Sequence, residues 1–178
     1  MRVNTKMKRR FSSGQRLAPW LGLSLACGLC IALSGCANFA IKTPAEMVEV
    51  TSKYDKTFDY RATTMEGAVV GVRVLDEPAG EGVASPGQSF WVEAIKRDLR
   101  LHKGYALLEE SQIKSANGHT GTLLKFGRDQ RSESYTYWIA VFRTDKNLHL
   151  VDAGGRADHF EQASSAIEKA IASYEVNP

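Results

Sequence analysis

The sequence predicts an α+β fold, a three-layer α/β/α sandwich in which an antiparallel sheet of about six strands carries helices on both faces. Three observations predict it. Segments of strand composition and period-2 alternation succeed one another between Phe58 and Ala153, separated by turn residues. One of them, Glu133–Thr144, is apolar on both sides: Tyr135, Tyr137, Ile139 and Val141 alternate with Thr136, Trp138, Ala140 and Phe142. A strand of that kind is covered above and below. Two stretches with helical spacing supply the covers, and the hairpin connections make the pairing antiparallel.

The chain opens on a basic segment: residues 1–16 contain Arg2, Lys6, Lys8, Arg9, Arg10 and Arg16 and no acid. From Leu17 to Ile41 there is no charged side chain, and Leu17–Leu33 is mostly Leu, Ala, Gly and Cys. As a helix that run measures about 25 Å, short of a ~30 Å hydrocarbon core, which suits an export signal better than a permanent span. It closes on Leu33-Ser34-Gly35-Cys36, with two small residues directly before a cysteine. This pattern resembles the lipobox of bacterial lipoproteins. The resemblance implies cleavage between Gly35 and Cys36, with palmitate-type acyl chains on Cys36 as the new N-terminus. Ala37 after the cysteine, in place of aspartate, resembles the signal for transfer to the outer membrane of diderm bacteria. An uncleaved N-terminal anchor is the alternative. Cys27 and Cys30 lie inside the apolar run without a lipobox or a polarising neighbour and read as small hydrophobes. Arg9-Arg10-Phe11 hints at a twin-arginine signal, but the residues around it do not complete that motif.

Removing the leader changes the electrostatic reading. The whole chain has 23 basic and 20 acidic residues, and six of the basic ones precede Cys36. The mature chain therefore carries 17 against 20, a net charge of −3. Basicity belongs to the leader, so nothing supports nucleic-acid binding. No cysteine follows Cys36, which excludes a disulfide or a cysteine metal site in the mature domain. The predicted organisation is a signal peptide over 1–35, a lipidated N-terminus, tether and short helix over 36–53, and one globular domain over 54–178.

Thr43-Pro44-Ala45-Glu46 has the form of a capping box with proline at the first helical position, predicting a short helix through about Ser52. Phe58–Thr63 and the valine-rich Ala68–Leu75 read as strands joined by a turn at Glu66-Gly67. Asp76–Ala84, polar with glycines and Pro78, reads as a mobile loop. Ser85-Pro86-Gly87-Gln88 is a second capping signature, opening a helix with Trp91, Ile95 and Leu99 on one face and Gly104 past its end. Strands follow at Tyr105–Ser111, Thr120–Arg128, Glu133–Thr144 and Leu148–Ala153, with turns at Asn117-Gly118 and Asp145-Lys146-Asn147. A last helix is predicted after Gly154-Gly155, capped by Asp158 and Glu161, with Phe160, Ala163, Ile167, Ile171 and Tyr174 as its apolar stripe.

The resulting order β-β-α-β-β-β-β-α, with Trp91 early in the long helix and Gly104-Tyr105 after it, resembles the PsbP-like superfamily over roughly residues 54–175. That group includes the extrinsic P subunit of photosystem II, a Ran-binding nuclear import factor and many small bacterial proteins. The resemblance implies a binding or assembly-assisting module without a shared catalytic site, so it carries no functional residue across.

Read for chemistry, the residues are sparse. His102, His119, His149 and His159 stand in no metal or nucleophile motif. His149, Asp152, Asp158 and His159 could converge where the last strand meets the last helix and hold a metal, but loose His/Asp groupings of this kind are common. Gly154-Gly155-Arg156 before a helix either cradles an anion or lets the chain reverse, and reversal is favoured. Glu109 and Glu110 point to opposite faces of a strand and cannot share a substrate. Tyr135, Tyr137, Trp138 and Phe142 read as core, with a ligand groove as the alternative. No serine-nucleophile signature, phosphate loop or cofactor motif is present, and neither a catalytic, a cofactor-binding nor a metal residue is assigned.

Taken together, these readings predict a lipid-anchored envelope protein facing the periplasm, with a non-catalytic domain that binds an envelope protein or helps a complex assemble. Loops Leu75–Ala84 and Ser111–His119 are the expected contact sites. A carrier of small apolar ligands is the alternative, with a pocket lined by Trp91, Tyr137 or Trp138. A metal-dependent hydrolase requires His149, Asp152 and His159 to converge in one cleft.

Overall fold

The computed structural model describes residues 38–177 except 53, 55 and 78–85. These residues all belong to one compact unit, Ser34–Pro178. The expectations that fall on Gly35, Cys36, Ala37, Ser85 and most of the Asp76–Ala84 loop lie outside the described residues.

In chain order the elements are β1 (Phe39–Ala40), β2 (Val48–Glu49), β3 (Tyr60–Thr63), β4 (Val69–Asp76), α1 (Gln88–His102), β5 (Ala106–Lys114), β6 (Thr120–Gln130), β7 (Glu133–Arg143), β8 (Asn147–Arg156), α2 (Ala157–Gln162), α3 (Ser164–Ala172) and β9 (Glu175–Val176). Seven strands form one antiparallel sheet in the order β2-β3-β4-β8-β7-β6-β5, and β1 pairs separately with β9. The predicted strands and the mixed α+β class are observed. The sheet is one strand wider than expected.

The central strand behaves as its two apolar faces require. Ile139 and Val141 join Val92 of α1, Leu124, Phe126, Leu148 and Leu150 in one cluster. Ala140 and Phe142 join Val70, Val72, Val151 and residues of α2 and α3 in the other. Alternation along β7 thus sends successive side chains to opposite sides, where α1 covers one face and α2–α3 the other. Glycines end the elements where backbone φ is positive, at +70° for Gly104 after α1 and at +89° for Gly118 in the β5–β6 turn.

The predicted helix over residues 43–52 is not formed. The Thr43 hydroxyl, which would cap it, instead meets the Tyr60 hydroxyl at 2.8 Å. Met47 N–H donates to the Pro44 carbonyl at 3.0 Å, closing a single turn, and Met47 is buried in the core. The chain then runs extended, and Val48 and Glu49 pair with Thr63 and Ala62. From Asn38 onward the segment expected to be a tether is likewise paired into the fold, with Phe39 opposite Val176 and stacked 5.8 Å from Tyr174.

Helix α1 begins at Gln88 with Gly87 at its N-cap and no side-chain cap. The Gly154-Gly155 pair does not reverse the chain. Both residues sit in β8, opposite Tyr137 and Thr136. A Cβ on Gly154 would lie 3.1 Å from the Tyr137 ring, and one on Gly155 would lie 3.2 Å from the Ala68 Cα. The glycines therefore serve close approach between neighbouring segments of the fold, in place of the predicted reversal. Asp158 lies in the first turn of α2 and pairs with Arg156, while Arg156 occupies the N-cap. The last helix is two helices, joined at Ala163.

Candidate binding surfaces

Helix α1 crosses the sheet with two stripes, and each borders a concavity. The inner stripe, Trp91, Ile95 and Leu99, faces Tyr137, Ile139, Leu148 and Leu150 across an open cleft of about 280 Å³. The outer stripe, Phe90, Ala94, Arg97 and Leu101, overhangs β5 and borders a larger groove of about 720 Å³ whose floor is Leu107 and Phe126.

Two polar clusters engage residues that line the inner cleft, Arg73 and Tyr137 in one and Trp91 in the other. Asp152, 5% exposed, accepts from Arg73 Nε at 2.8 Å and Nη2 at 2.7 Å, and from the Tyr137 hydroxyl at 2.5 Å. Burial pushes the Asp152 carboxyl up, and Arg73 and the Tyr137 hydroxyl oppose that shift. Burial and the neighbouring carboxylate also push the Tyr137 phenol up, so it stays a hydrogen-bond donor. In the second cluster Glu77, also buried, accepts from Arg143 through both carboxylate oxygens at 2.6 and 2.9 Å and from the Trp91 indole at 3.2 Å. Buried charges are tolerated when paired in this way. Both clusters spend their charge internally.

The outer groove is different. Phe90 and Leu101 are each 56% exposed, and Leu107 and Leu108 on β5 are 40% and 70% exposed. Lys96 is held by Glu93 at 2.6 Å and by Glu110 at 2.9 Å. Arg97 and Arg100, both lining the groove, have no acidic partner among the described residues. Among the described residues no strand lies beside the outer edge of β5.

On the opposite face His149 is fully buried, with Nδ1 2.8 Å from the Tyr174 hydroxyl and Nε2 without a hydrogen-bond partner among the described residues. Burial lowers its pKa to about 4, and His119 acts in the same direction.

No protein-family model matches the chain, and no curated protein does. Solved structures do match. LpqN, described as involved in cell envelope biogenesis of Mycobacterium tuberculosis, superposes with a TM-score of 0.61 at 9% identity, covering 79% of this chain and 83% of its own. Cyanobacterial PsbP (CyanoP) from Synechocystis sp. PCC 6803 superposes with a TM-score of 0.50 at 14% identity, covering 84% of this chain and 98% of its own. The fold is PsbP-like.

Against that frame of strands, the sequence-predicted groupings separate. His149 and Asp152 are three apart on β8 and face opposite sides of the sheet, one against Tyr174 and the other against Arg73. The convergence that a metal site or hydrolase would require is therefore absent. Asp158 and His159 come within 3.7 Å at the surface, beside Arg156. His102 pairs with Asp98 on α1, and His119 sits near Asn117 in the β5–β6 turn. Glu109 and Glu110 do point apart, to Lys125 and Lys96. The aromatic set divides: Tyr137 borders the inner cleft with Trp91, whereas Trp138 packs on Phe160 on the other face. Ser111 is within β5, and Asn117 is tied to the Val176 backbone by bonds of 2.6 and 3.1 Å, so the predicted contact loop there is short and pinned. Sequence reasoning passed over Arg73, Glu77, Arg97 and Arg100. Arg73 left a usable signal, a single cation inside a run of valines that the core must bury.

Proposed function

We propose that the protein is a lipid-anchored envelope module that binds another protein through the α1–β5 side of its PsbP-like domain. The observation that carries this reading is the outer groove. Exposed Phe90, Leu101 and Leu107 surround a concavity beside an open strand edge, and native surfaces shield or use such edges. The polar clusters elsewhere are satisfied internally, which favours binding over catalysis. The lipobox at Leu33–Cys36 supplies membrane residence: each buried methylene contributes about 0.8 kcal/mol, and two or more acyl chains make anchoring stable. The involvement of LpqN in cell envelope biogenesis agrees with this setting. No helix among the described residues is long and apolar enough to cross a membrane.

Two experiments test it. Cys36→Ala abolishes acylation and leaves unprocessed precursor; unchanged intact mass and unchanged membrane fractionation would refute the anchor. Crosslinking from membranes with the lipidated protein, followed by pull-down, yields a specific envelope partner. Recovery of background proteins alone removes the binding reading.

One observation favours a second reading, carriage of a small apolar ligand. The inner cleft is lined by Trp91 and Tyr137, as that reading requires, although its volume of about 280 Å³ is at the lower end for ligand sites. Saturable quenching of Trp91 fluorescence by a fatty acid, lost in Ile95→Trp, would establish it.

A further inference from the structure

Proceeding from the protein-binding reading, we infer that the occupant of the outer groove is an acidic, strand-forming segment of a partner protein, which adds to the free edge of β5. Three features specify that occupant. The first is the edge itself: β5 is nine residues long, its first five residues are exposed, and it terminates the seven-stranded sheet. An unpaired edge offers alternate N–H and C=O groups to an extended chain, which gains main-chain hydrogen bonds there. The second is the overhang. Phe90, Ala94, Arg97 and Leu101 of α1 line the groove together with Leu107, so alternate side chains of an added strand meet an apolar wall. The third is charge. Lys96 is neutralised by Glu93 and Glu110, whereas Arg97 and Arg100 are exposed with no acidic partner among the described residues. Carboxylates on the incoming segment complete that set.

A second copy of this chain fits less well. The β5 carboxylates of a second copy are already engaged, Glu109 by Lys125 and Glu110 by Lys96, so antiparallel pairing of β5 with itself brings no free carboxylate to Arg97 and Arg100. A lipid surface also fits less well, because the apolar side chains line a concavity instead of projecting from a convex face.

The test uses the full-length protein in neutral detergent and two short synthetic peptides that carry, at every second position and so on one face, leucine alternating with glutamate in one and leucine alternating with lysine in the other, with threonine between. The glutamate peptide binds saturably and slows hydrogen exchange of alternate β5 amides. Arg97→Glu combined with Arg100→Glu, both at exposed positions, weakens it about tenfold, the effect of two partly screened ion pairs. Equal binding of the two peptides, binding without β5 protection, or no binding overturns the inference. So does protection of β5 by phosphatidylglycerol added to the micelle when neither peptide gives any, which would identify a lipid occupant. Recovery of the same envelope partner by the double variant at undiminished yield would overturn this surface while leaving the protein-binding reading intact.

Discussion

His149 makes the stability of the domain depend on pH in a calculable way. The side chain is fully buried beneath Tyr174, and its pKa falls from 6.5 to about 4 on folding. A base with a depressed folded pKa is neutral in the native state and takes up its proton on unfolding. The contribution is therefore fully present above pH 6.5 and is lost as pH falls through the window from 6.5 to about 4. Linkage between those two values gives a loss of about 2 kcal/mol between pH 7 and pH 5, growing to about 3 kcal/mol near pH 4. Urea unfolding at pH 7 and pH 5, compared between the wild type and His149→Phe, isolates this group. The carboxylates, Asp152 with its raised pKa among them, are common to both proteins. The variant loses the bond to the Tyr174 hydroxyl at every pH, which offsets its curve without changing its slope. The wild type should lose about 2 kcal/mol more than the variant between the two pH values. Parallel pH dependence in the two proteins would refute the claim that His149 is neutral in the fold.

The buried ion pair gives a second test: Asp152→Ala leaves Arg73 and the Tyr137 hydroxyl without their acceptor and should cost about 3 kcal/mol in urea unfolding, with Arg73→Met in the same chain recovering part of it. Gly155→Val places a branched side chain where a Cβ alone is 3.2 Å from the Ala68 backbone, and should destabilise by about 1–3 kcal/mol. Leu108→Glu, at a residue 70% exposed, should change stability by less than about 0.5 kcal/mol, as a surface position does. A large loss there, measured by thermal unfolding, would mean that β5 is covered.

What was legible in the chain was whatever depends on near neighbours. Period-2 alternation located β4 to β8, and the helical spacing of Trp91, Ile95 and Leu99 located α1, because each pattern is set within one element. The Thr43 capping box failed for the complementary reason: its hydroxyl had a competing partner, Tyr60, seventeen residues away, and the core claimed Met47. Gly154-Gly155 was misread because turn and close approach select the same residue, and only Ala68 and Tyr137, from other parts of the fold, distinguish them. The binding surfaces follow the same division. Arg73 and Asp152 each stand as the one charge among the apolar residues in the middle of a strand, and a carboxylate that is buried there has to meet a cation. Once β4 and β8 are paired with Gly71 opposite Asp152, Arg73 is two residues along the neighbouring strand and reaches it. Arg97 and Arg100 offer no such signal, since exposed arginines on a helix are ordinary. What distinguishes them is that Glu93 and Glu110 both go to Lys96, a choice of partners made by the packing of α1 against β5. The charge that sets partner preference is therefore a residue of the tertiary fold, and exchanging Lys96 for Met should release Glu110 and weaken an acidic segment's hold on the same groove.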